Sequence, residues 1–514
     1  MALAAIAFLW PAALNGGPFW FPDSSTYIRA ADTAVVTVTG STSEWSDRLV
    51  RVPAPPARSE TAATASAASG SSEDRAGASE WLPTRPVLTG RSIYYGMLIY
   101  LPMRLFGLWG GVIFQSLIVA GLTVGSLFVG ARTARADPRL VVAVAVAILT
   151  LLTPLPFYTS MLMPDIYSGV LILVLATVLC FWESLSAKAR ILLIGASAAI
   201  ATFHTTNILI ALAMAGAAFL VLGSRKKSRL RPILVILPVL AVALAGEMAF
   251  SHAVKSQLGQ EPLSPPFLSA RITASGPGTA YLHHHCTGAP DDFALCAHRD
   301  RLPLFSDDFL WSEETDTGLF QLVDSREQRR ISKEDKAFFL AVFADDPASA
   351  VFASAESFVR QLSYFDLENF NYSDLLKSLA PGQLPAAAEA QFRASRAFDG
   401  RIPVAFTVAA TVAVTLASIA TIGILWVRSV RSREGFLPMT LRYALLIVLG
   451  VLANALICGA LSKPGARYQM RLIWLIPAAA VVTAFAGRRS LGPRGESVDD
   501  PAATGHRTTL GATT

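Results

Sequence analysis

Long apolar runs, separated by short segments rich in Lys and Arg, constrain this chain more than any other feature. About ten of these runs approach the roughly 20 residues that a helix needs to cross a bilayer. With 53% hydrophobic and only 16% charged residues among 514, the composition excludes an ordinary soluble protein. The sequence therefore predicts an all-α polytopic membrane protein with about ten transmembrane helices. The candidate spans are 2–14, 110–130, 140–157, 166–183, 191–203, 206–223, 232–252, 402–427, 441–461 and 470–487.

The basic residues of the short loops predict the orientation of these helices. If the stretch 94–107 lies in the membrane interface and does not cross, all five basic segments fall on one side, which the positive-inside rule makes cytoplasmic. These segments are 132–139, 188–190, 225–231, 428–442 and the tail from Arg488. The net charge of +6 is thus a signal of topology and indicates no nucleic-acid partner. We expect a multi-pass protein of the bacterial inner (plasma) membrane.

Domain organisation follows from this orientation. The first outer loop, 15–109, contains an Ala/Ser/Pro-rich stretch at 53–80 that is predicted to be disordered, because it has too few large apolar residues to fold. The opening run lacks a cationic start and a cleavage site, which does not favour a signal peptide. The predicted regions are an N-terminal membrane domain (1–252, about seven helices), an extracytoplasmic soluble domain (253–401), C-terminal membrane helices (402–487) and a cytoplasmic tail (488–514).

The inserted domain is predicted to be mainly helical. One helix is expected to begin at Ser332 in "SKED", which reads as a capping box, and another to follow Pro347. Cys286 and Cys296 flank a short loop on the oxidising side of the membrane, so the spacing favours a local disulfide. The neighbouring histidines in "HHHC…CAH" leave two alternatives open, a zinc site and a solvated histidine run.

Four polar signals from distant parts of the chain are predicted to lie on the outer face. They are Asp23 after the first run, Asp165 in "SMLMPDIYSG", His204 in "FHTTN", and the basic loop "SKPGARYQMR" with Lys463, Arg467 and Arg471. Each has a purely structural alternative: Asp165 as a helix cap, Asp23 as a solvated loop residue, His204 as an interfacial tip, Arg467 as a ligand of lipid headgroups. Their coincidence at one membrane depth favours a shared site.

This set of side chains suits the transfer of a sugar from a lipid-phosphate donor. An acceptor hydroxyl must lose a proton as it attacks the anomeric carbon, and a carboxylate at an interface can act as that base. The departing phosphate gains negative charge, which Arg or Lys neutralises in a partly dehydrated cleft. Carboxylates at an interface also suit Mg or Mn, so the need for a divalent metal stays open.

Four motifs resemble the GT-C superfamily of polytopic glycosyltransferases, which use polyprenyl-phosphate-linked sugars. They are "FWFPDSSTY", "GRSIYYGML", "MPDIYSG" and "GARYQMRLIWLIP". The resemblance implies catalytic carboxylates at Asp23 and Asp165, and an Arg-Tyr pair matched by Arg467 and Tyr468. The insertion 253–401 and the loop 53–80 depart from the family pattern and leave the acceptor open.

The predicted function is therefore a membrane glycosyltransferase that moves a sugar from a polyprenyl-phosphate donor to a hydroxyl of a glycan, lipid or protein. It would invert the anomeric centre, with an Asp as general base, and work among membrane lipids on the extracytoplasmic face. Two alternatives remain, a transporter or flippase of a lipid-linked sugar and a non-enzymatic envelope scaffold. The predicted ligands of the donor phosphate are Arg467, Lys463 and Arg471, and those of the remaining substrate are His204, Tyr468 and Arg91.

Overall fold

Helices account for nearly all regular structure in the computed structural model, which describes residues 1–49, 92–222, 226–259, 261–289, 292–431 and 438–489. Within these ranges there is no β-strand, and Phe19 and Met161 form an isolated parallel bridge. The predicted disordered stretch 53–80, the substrate candidate Arg91 and the tail beyond 489 lie outside the described residues.

The helices are numbered in chain order. Before the insertion they are α1 (Ala2–Ala7), α2 (Trp10–Asn15), α3 (Ser24–Thr39), α4 (Glu44–Leu49), α5 (Ile93–Thr133), α6 (Pro138–Leu152), α7 (Leu155–Thr159), α8 (Asp165–Cys180), α9 (Ala187–Ala201), α10 (Thr205–Val221) and α11 (Lys226–Leu258). The insertion carries α12 (Phe267–Ala274), α13 (Pro277–His285), α14 (Ser306–Trp311), α15 (Ser325–Asp345), α16 (Pro347–Ser363), α17 (Asp374–Leu379) and α18 (Ala386–Arg393). After it come α19 (Val404–Arg431), α20 (Met439–Leu461), α21 (Ala466–Ile473) and α22 (Leu475–Arg489).

Several of these helices have the length and composition of membrane spans. Five described segments qualify: Ile93–Thr133, Leu230–Gln257, Val404–Arg431, Met439–Leu461 and Ala466–Ala486. The helices α6, α8 and α10 are apolar but shorter, and α15 with α16 forms a pair bent by 113° that would count as a sixth span if it crossed. The chain thus has the helices of a multi-pass membrane protein, whereas the predicted count of about ten crossings is not established.

Two predicted features of the spans differ in detail from the structure. The first run, 2–14, forms two short helices, α1 and α2, because the chain leaves helical geometry between them. The stretch 94–107 is part of α5, but helical geometry fails at Phe106 and Gly107. Gly107 has a φ of 66°, in the left-handed region where a residue without Cβ is favoured. Hydropathy detects both apolar runs but carries no information about such breaks.

Helix α8 lies at the centre of the bundle. All of its residues are buried, as expected for a helix that is apolar around its whole circumference. It packs against α5, α9, α10, α20 and α21. A Cβ at Gly169 would lie 3.0 Å from the carbonyl oxygen of Arg471, so glycine at this position allows α21 to approach α8 closely. This packing fixes the N-terminal end of α8, which carries Asp165.

The insertion consists of two packing units. Its first part has a core of its own, which runs from Leu263 to Ala350 and includes Phe309, Phe320 and Phe338. Its last part, from Leu367 to Ile402, instead shares the core of the helical bundle. A hydropathy reading of 253–401 as one soluble domain does not distinguish these parts, because both consist of short amphipathic helices.

The helix starts in the insertion are only partly as predicted. The start at Ser332 is wrong, since α15 already begins at Ser325, where the Asp324 side chain accepts a hydrogen bond from the backbone N–H of Glu327. "DSRE" is thus the capping sequence used, and Ser332 lies inside the helix. The start after Pro347 is correct, with Asp346 as the capping residue of α16.

Cys286 and Cys296 form a disulfide in the structure, with their Cα atoms 5.5 Å apart. The adjacent histidines pair with carboxylates: His285 lies 2.9 Å from Asp345 and His298 lies 2.8 Å from Glu327. Among the described residues no group of three or more His, Cys, Asp or Glu side chains is arranged to hold a metal ion. The arrangement thus matches the disulfide alternative and gives the zinc alternative no support.

Candidate functional site

The two loops that carry Asp23 and Asp165 are joined through their backbones. The N–H of Phe19 donates to the carbonyl of Ser160 at 2.9 Å, and the N–H of Leu162 donates to the carbonyl of Phe19 at 3.1 Å. These two bonds form the isolated bridge noted above. Segments about 140 residues apart in sequence are thereby fixed side by side at one end of the bundle.

A buried glutamine orders the second of these loops. The side-chain amide of Gln115 donates to the carbonyls of Thr159 and Met161, at 2.9 and 2.8 Å. Its own oxygen accepts a hydrogen bond of 2.9 Å from the hydroxyl of Tyr95. Every polar atom at the end of this side chain is therefore used, as burial requires. Gln115 fixes the approach to α8, and no sequence motif distinguishes it from other residues of an apolar helix.

Asp165 is the first residue of α8 and only 4% exposed. Its Oδ1 lies 3.2 Å from Nη1 of Arg471 and 3.4 Å from Nε of Arg467. The residue before the helix is Pro164, which provides no side-chain cap. The carboxylate thus has two guanidinium partners and no neighbouring side-chain cap. Its place at a helix N-terminus adds a favourable interaction with the helix dipole.

Arg471 is buried behind this ion pair. Its Nη2 donates to Oδ1 of Asn454 at 3.1 Å and lies 3.7 Å from the sulfur of Cys458. Asn454 in turn donates to the backbone carbonyl of Tyr468 at 3.0 Å, so α20 and α21 are tied together here. Arg471, a predicted ligand of the donor phosphate, is only 1% exposed, and its donors contact Asp165 and Asn454. Sequence reasoning missed Asn454, which is a single polar residue within an apolar span.

Arg467 faces the loop that carries Asp23. Its guanidinium carbon lies 4.2 Å from the ring centroid of Phe21 and 5.1 Å from that of Tyr468, which are cation–π distances. Nη2 donates to the Tyr468 hydroxyl at 3.3 Å. Nη1 is buried and has no hydrogen-bond partner in the part of the chain that the structure describes. A guanidinium held on one side by Asp165 thus keeps spare donor capacity.

Asp23 and His204 complete the cluster. Asp23 directly precedes α3 and lies within electrostatic range of both Arg467 and His204. His204 caps α10, since its Nδ1 accepts a hydrogen bond of 3.1 Å from the backbone N–H of Thr206. A neutral imidazole with this contact carries its proton on Nε2. His204 also interacts electrostatically with Asp165. Asp23, Asp165, His204 and Arg467 therefore occupy one region.

The insertion holds the basic loop that leads into α21. Lys463, another predicted phosphate ligand, pairs with Asp307 of α14 and so points toward the insertion. Gln361 on α16 is fully buried and binds both backbone groups of Gly465. It accepts from the Gly465 N–H at 2.8 Å and donates to the Gly465 carbonyl at 3.0 Å. The residue two positions before Arg467 is thus fixed by a side chain more than 100 positions away in sequence.

A buried arginine makes a second connection between the insertion and the bundle. Arg271 on α12 donates to the carbonyls of Gly459 and Ala353, each at 3.0 Å, and to the hydroxyl of Ser357. A Cβ at Gly459 would lie 2.8 Å from the carbonyl oxygen of Ser357, so only glycine fits between α20 and α16. These contacts fix α16 against the end of α20.

A second buried carboxylate, Asp32 on α3, lies outside this cluster. It accepts hydrogen bonds from the hydroxyls of Ser43 and Ser46, each at 2.5 Å, and from that of Tyr100 at 2.6 Å. These contacts tie α3 to α5 and to the segment that leads into α4. Sequence reasoning did not select Asp32, because its partners come from two other segments, 43–46 and α5.

Comparison of the chain with models of known protein families, with curated proteins and with solved structures finds no match. The cluster of Asp23, Asp165, His204 and Arg467 is therefore the feature that bears on function. It combines a fixed cation with spare donors, a carboxylate in the adjoining loop and an imidazole, at the end of a bundle of apolar helices.

Proposed function

We propose that this chain is a membrane glycosyltransferase that transfers a sugar from a polyprenyl-phosphate donor to an acceptor hydroxyl. The reaction takes place at the end of the bundle that carries the insertion, which the positive-inside rule makes the extracytoplasmic face. The observation that carries the proposal is the position of Arg467. Its buried Nη1, which has no hydrogen-bond partner among the described residues, adjoins the loop of Asp23, so an anion bound there would lie beside a carboxylate.

In this proposal Arg467 binds the phosphate of the donor. The phosphate is charged before reaction and gains negative charge as the bond from the anomeric carbon to the phosphate oxygen breaks. A guanidinium with free N–H donors stabilises both states, and more strongly the second. The aromatic rings of Phe21 and Tyr468 lie at cation–π distances from the guanidinium and fix its position.

Asp23 acts as the general base. The acceptor oxygen attacks the anomeric carbon, its proton moves to the Asp23 carboxylate, and polyprenyl phosphate leaves with the electron pair of the broken bond. A single displacement of this kind inverts the anomeric centre. Asp23 suits the role better than Asp165, because Asp23 is partly exposed whereas Asp165 is almost fully buried between two guanidinium groups.

Asp165, Arg471 and Asn454 then act as positioning residues. They fix Arg467 and α21 through a chain of charged hydrogen bonds, none of which needs to open for substrate to bind. The expectation that Asp165 and Arg471 contact substrate is replaced in this proposal by a supporting role. A lipid donor also explains why the site lies at the end of apolar helices, where a polyprenyl chain can remain in the bilayer.

The direct test supplies purified protein in lipid nanodiscs with radiolabelled polyprenyl-phosphate sugars and a glycan fraction from cell envelopes. We expect saturable transfer of label to the acceptor and release of polyprenyl phosphate. Binding of polyprenyl phosphate alone, compared between the native protein and Arg467→Ala, tests the anion site without knowledge of the acceptor. Movement of intact lipid-linked sugar across vesicles without transfer would contradict the proposal and favour a flippase.

A further inference from the structure

Helix α16 has one face buried in protein and one face exposed. The buried face includes Ala350, Ala353 and Gln361, which contact the core of the insertion and the end of α20. The opposite face is solvent-accessible along the length of the helix. This exposed face is apolar, which is unusual for a helix in an aqueous domain.

The exposed stripe of α16 follows the spacing i, i+3, i+4, i+7 and i+11 of a single helix face. Phe352 is 72% exposed and Val359 is 62% exposed. The charged residues on this side, Glu356 and Arg360, pair with each other at 2.7 Å and flank the stripe. The stripe consists of Ala348, Val351, Phe352, Ala355 and Val359.

The apolar surface continues onto the end of α15. The exposed basic residues of α15 lie toward its start, whereas its exposed apolar residues lie toward its end, with Leu340 65% exposed. The two helices together satisfy the hydropathy expected of a membrane span, although they are bent by 113°. The exposed basic residues are Arg326, Arg330, Lys333 and Lys336, and the exposed apolar ones are Ala337, Leu340 and Ala344.

Two observations define where this surface lies relative to the membrane. Asp345 and Asp346 at the bend are exposed, and ionised carboxylates are costly in the hydrocarbon core, so the pair does not cross. Ser357 of α16 packs against Gly459 near the end of α20, a helix with the length and hydropathy of a span. Leu456, one helical turn earlier on α20, is exposed. Helix α16 therefore packs by its buried face against the end of a candidate span, and its apolar stripe lies on the opposite face.

We infer that α16 and the last turns of α15 lie on the bilayer leaflet at the insertion side, with the apolar stripe among the upper acyl chains. An amphipathic helix of this kind inserts roughly 5–10 Å below the headgroups. The partner is the lipid surface itself, and the inference does not depend on the proposed enzymatic activity. Because Gln361 lies on the opposite face of the same helix, lipid contact and the basic loop at Gly465 share one rigid element.

Site-directed spin labelling of the full-length protein in nanodiscs tests this inference. Single cysteines are introduced by Phe352→Cys and Val359→Cys on the stripe, and by Lys333→Cys on the basic part of α15 as a matched control. The native thiols do not interfere, since Cys180 and Cys458 are buried and Cys286 is bonded to Cys296. All three labelled positions are exposed, so the substitutions leave the core packing unchanged.

We expect the labels at positions 352 and 359 to collide more often with molecular oxygen than with a water-soluble nickel chelate, and the label at 333 to show the reverse. If 352 and 359 behave like 333, the surface faces water and the inference is wrong. If they are shielded from both reagents and show spin–spin broadening that disappears on dilution with unlabelled protein, the stripe is instead a contact between two copies. That outcome would equally overturn the inference.

Discussion

Asp165 and Asp32 are both buried carboxylates, yet the structure stabilises them in opposite ways. Asp165 is surrounded by guanidinium groups, whereas Asp32 accepts hydrogen bonds from three hydroxyls and has no cation within the hydrogen-bonding contacts that the structure describes. Each hydroxyl has a single proton to donate, and all three are used on Asp32. The Asp32 cluster therefore has no hydroxyl proton left to donate to a ligand.

The Asp165 cluster has donors left over. Each guanidinium carries five N–H groups, so the guanidinium groups of Arg467 and Arg471 together offer more donors than the single Asp165 carboxylate can accept. Nη1 of Arg467 and Nε of Arg471 are buried without a hydrogen-bond partner among the described residues. Unused buried donors are costly unless a ligand completes them. Spare hydrogen-bonding capacity, more than burial of charge, therefore distinguishes the candidate binding site at Asp165 from the structural contact at Asp32.

Removal of the Asp165 carboxylate should have the largest effect on stability. Asp165→Ala leaves Arg471 buried without its counterion, which should lower the free energy of unfolding by about 3–5 kcal/mol. Titration with a denaturing detergent measures this loss. The double variant Asp165→Ala/Arg471→Met removes both charges and should recover part of it. A single variant as stable as the native protein would show that the ion pair is not desolvated as the structure indicates.

The hydroxyl-bound carboxylate should be less critical. Asp32→Asn keeps one oxygen that can accept from Ser43 and Tyr100, but it places an amide N–H₂ where Oδ2 accepts from Ser46, and loss of that buried contact should cost about 1–3 kcal/mol in the same assay. Tyr100→Phe, which removes one donor, should cost about 1 kcal/mol. Since Asp32 lies outside the proposed site, binding of polyprenyl phosphate should remain unchanged. Loss of polyprenyl-phosphate binding in Asp32→Asn without loss of stability would contradict the distinction between the two clusters.

The smallest effect on stability is expected for Arg467. Arg471 still neutralises Asp165 in Arg467→Ala, so the variant should lose only about 1 kcal/mol, mainly from its cation–π contacts. Its affinity for polyprenyl phosphate should nevertheless fall about 10- to 100-fold, the equivalent of one charge-assisted hydrogen-bonding contact. Arg467→Lys should recover part of the affinity, because it restores the charge without the planar fork. Unchanged affinity in Arg467→Ala would remove Arg467 from the proposed site.

The ends of the apolar runs explain how much of this site can be predicted from the sequence. Asp23, Asp165, His204 and Arg467 each adjoin an apolar run, and run ends on one side of a bilayer share a depth, so their neighbourhood can be predicted from hydropathy and loop charge. Their individual partners cannot. Lys463 looks equivalent to Arg467 in sequence, but the position of α14 directs it to Asp307.

Residues that support the site carry no sequence signal of their own. Asn454 and Gln115 are single polar residues inside apolar helices, and Gln361 lies on an ordinary amphipathic helix. Their roles depend on which helices pack against each other, and the periodicity of the sequence does not encode this tertiary packing. The start of α15 illustrates the same limit locally, since two capping sequences compete and the amphipathic pattern extends from the earlier one.

The role of Asp23 as the base is the central claim, and turnover of Asp23→Asn tests it most directly. The substitution keeps the shape of the side chain and removes its ability to take a proton. With polyprenyl-phosphate sugar as donor, we expect kcat to fall about 10²–10⁴-fold. Donor affinity should stay close to that of the native protein, because Arg467 retains its contacts. Undiminished transfer by Asp23→Asn would contradict the proposed mechanism.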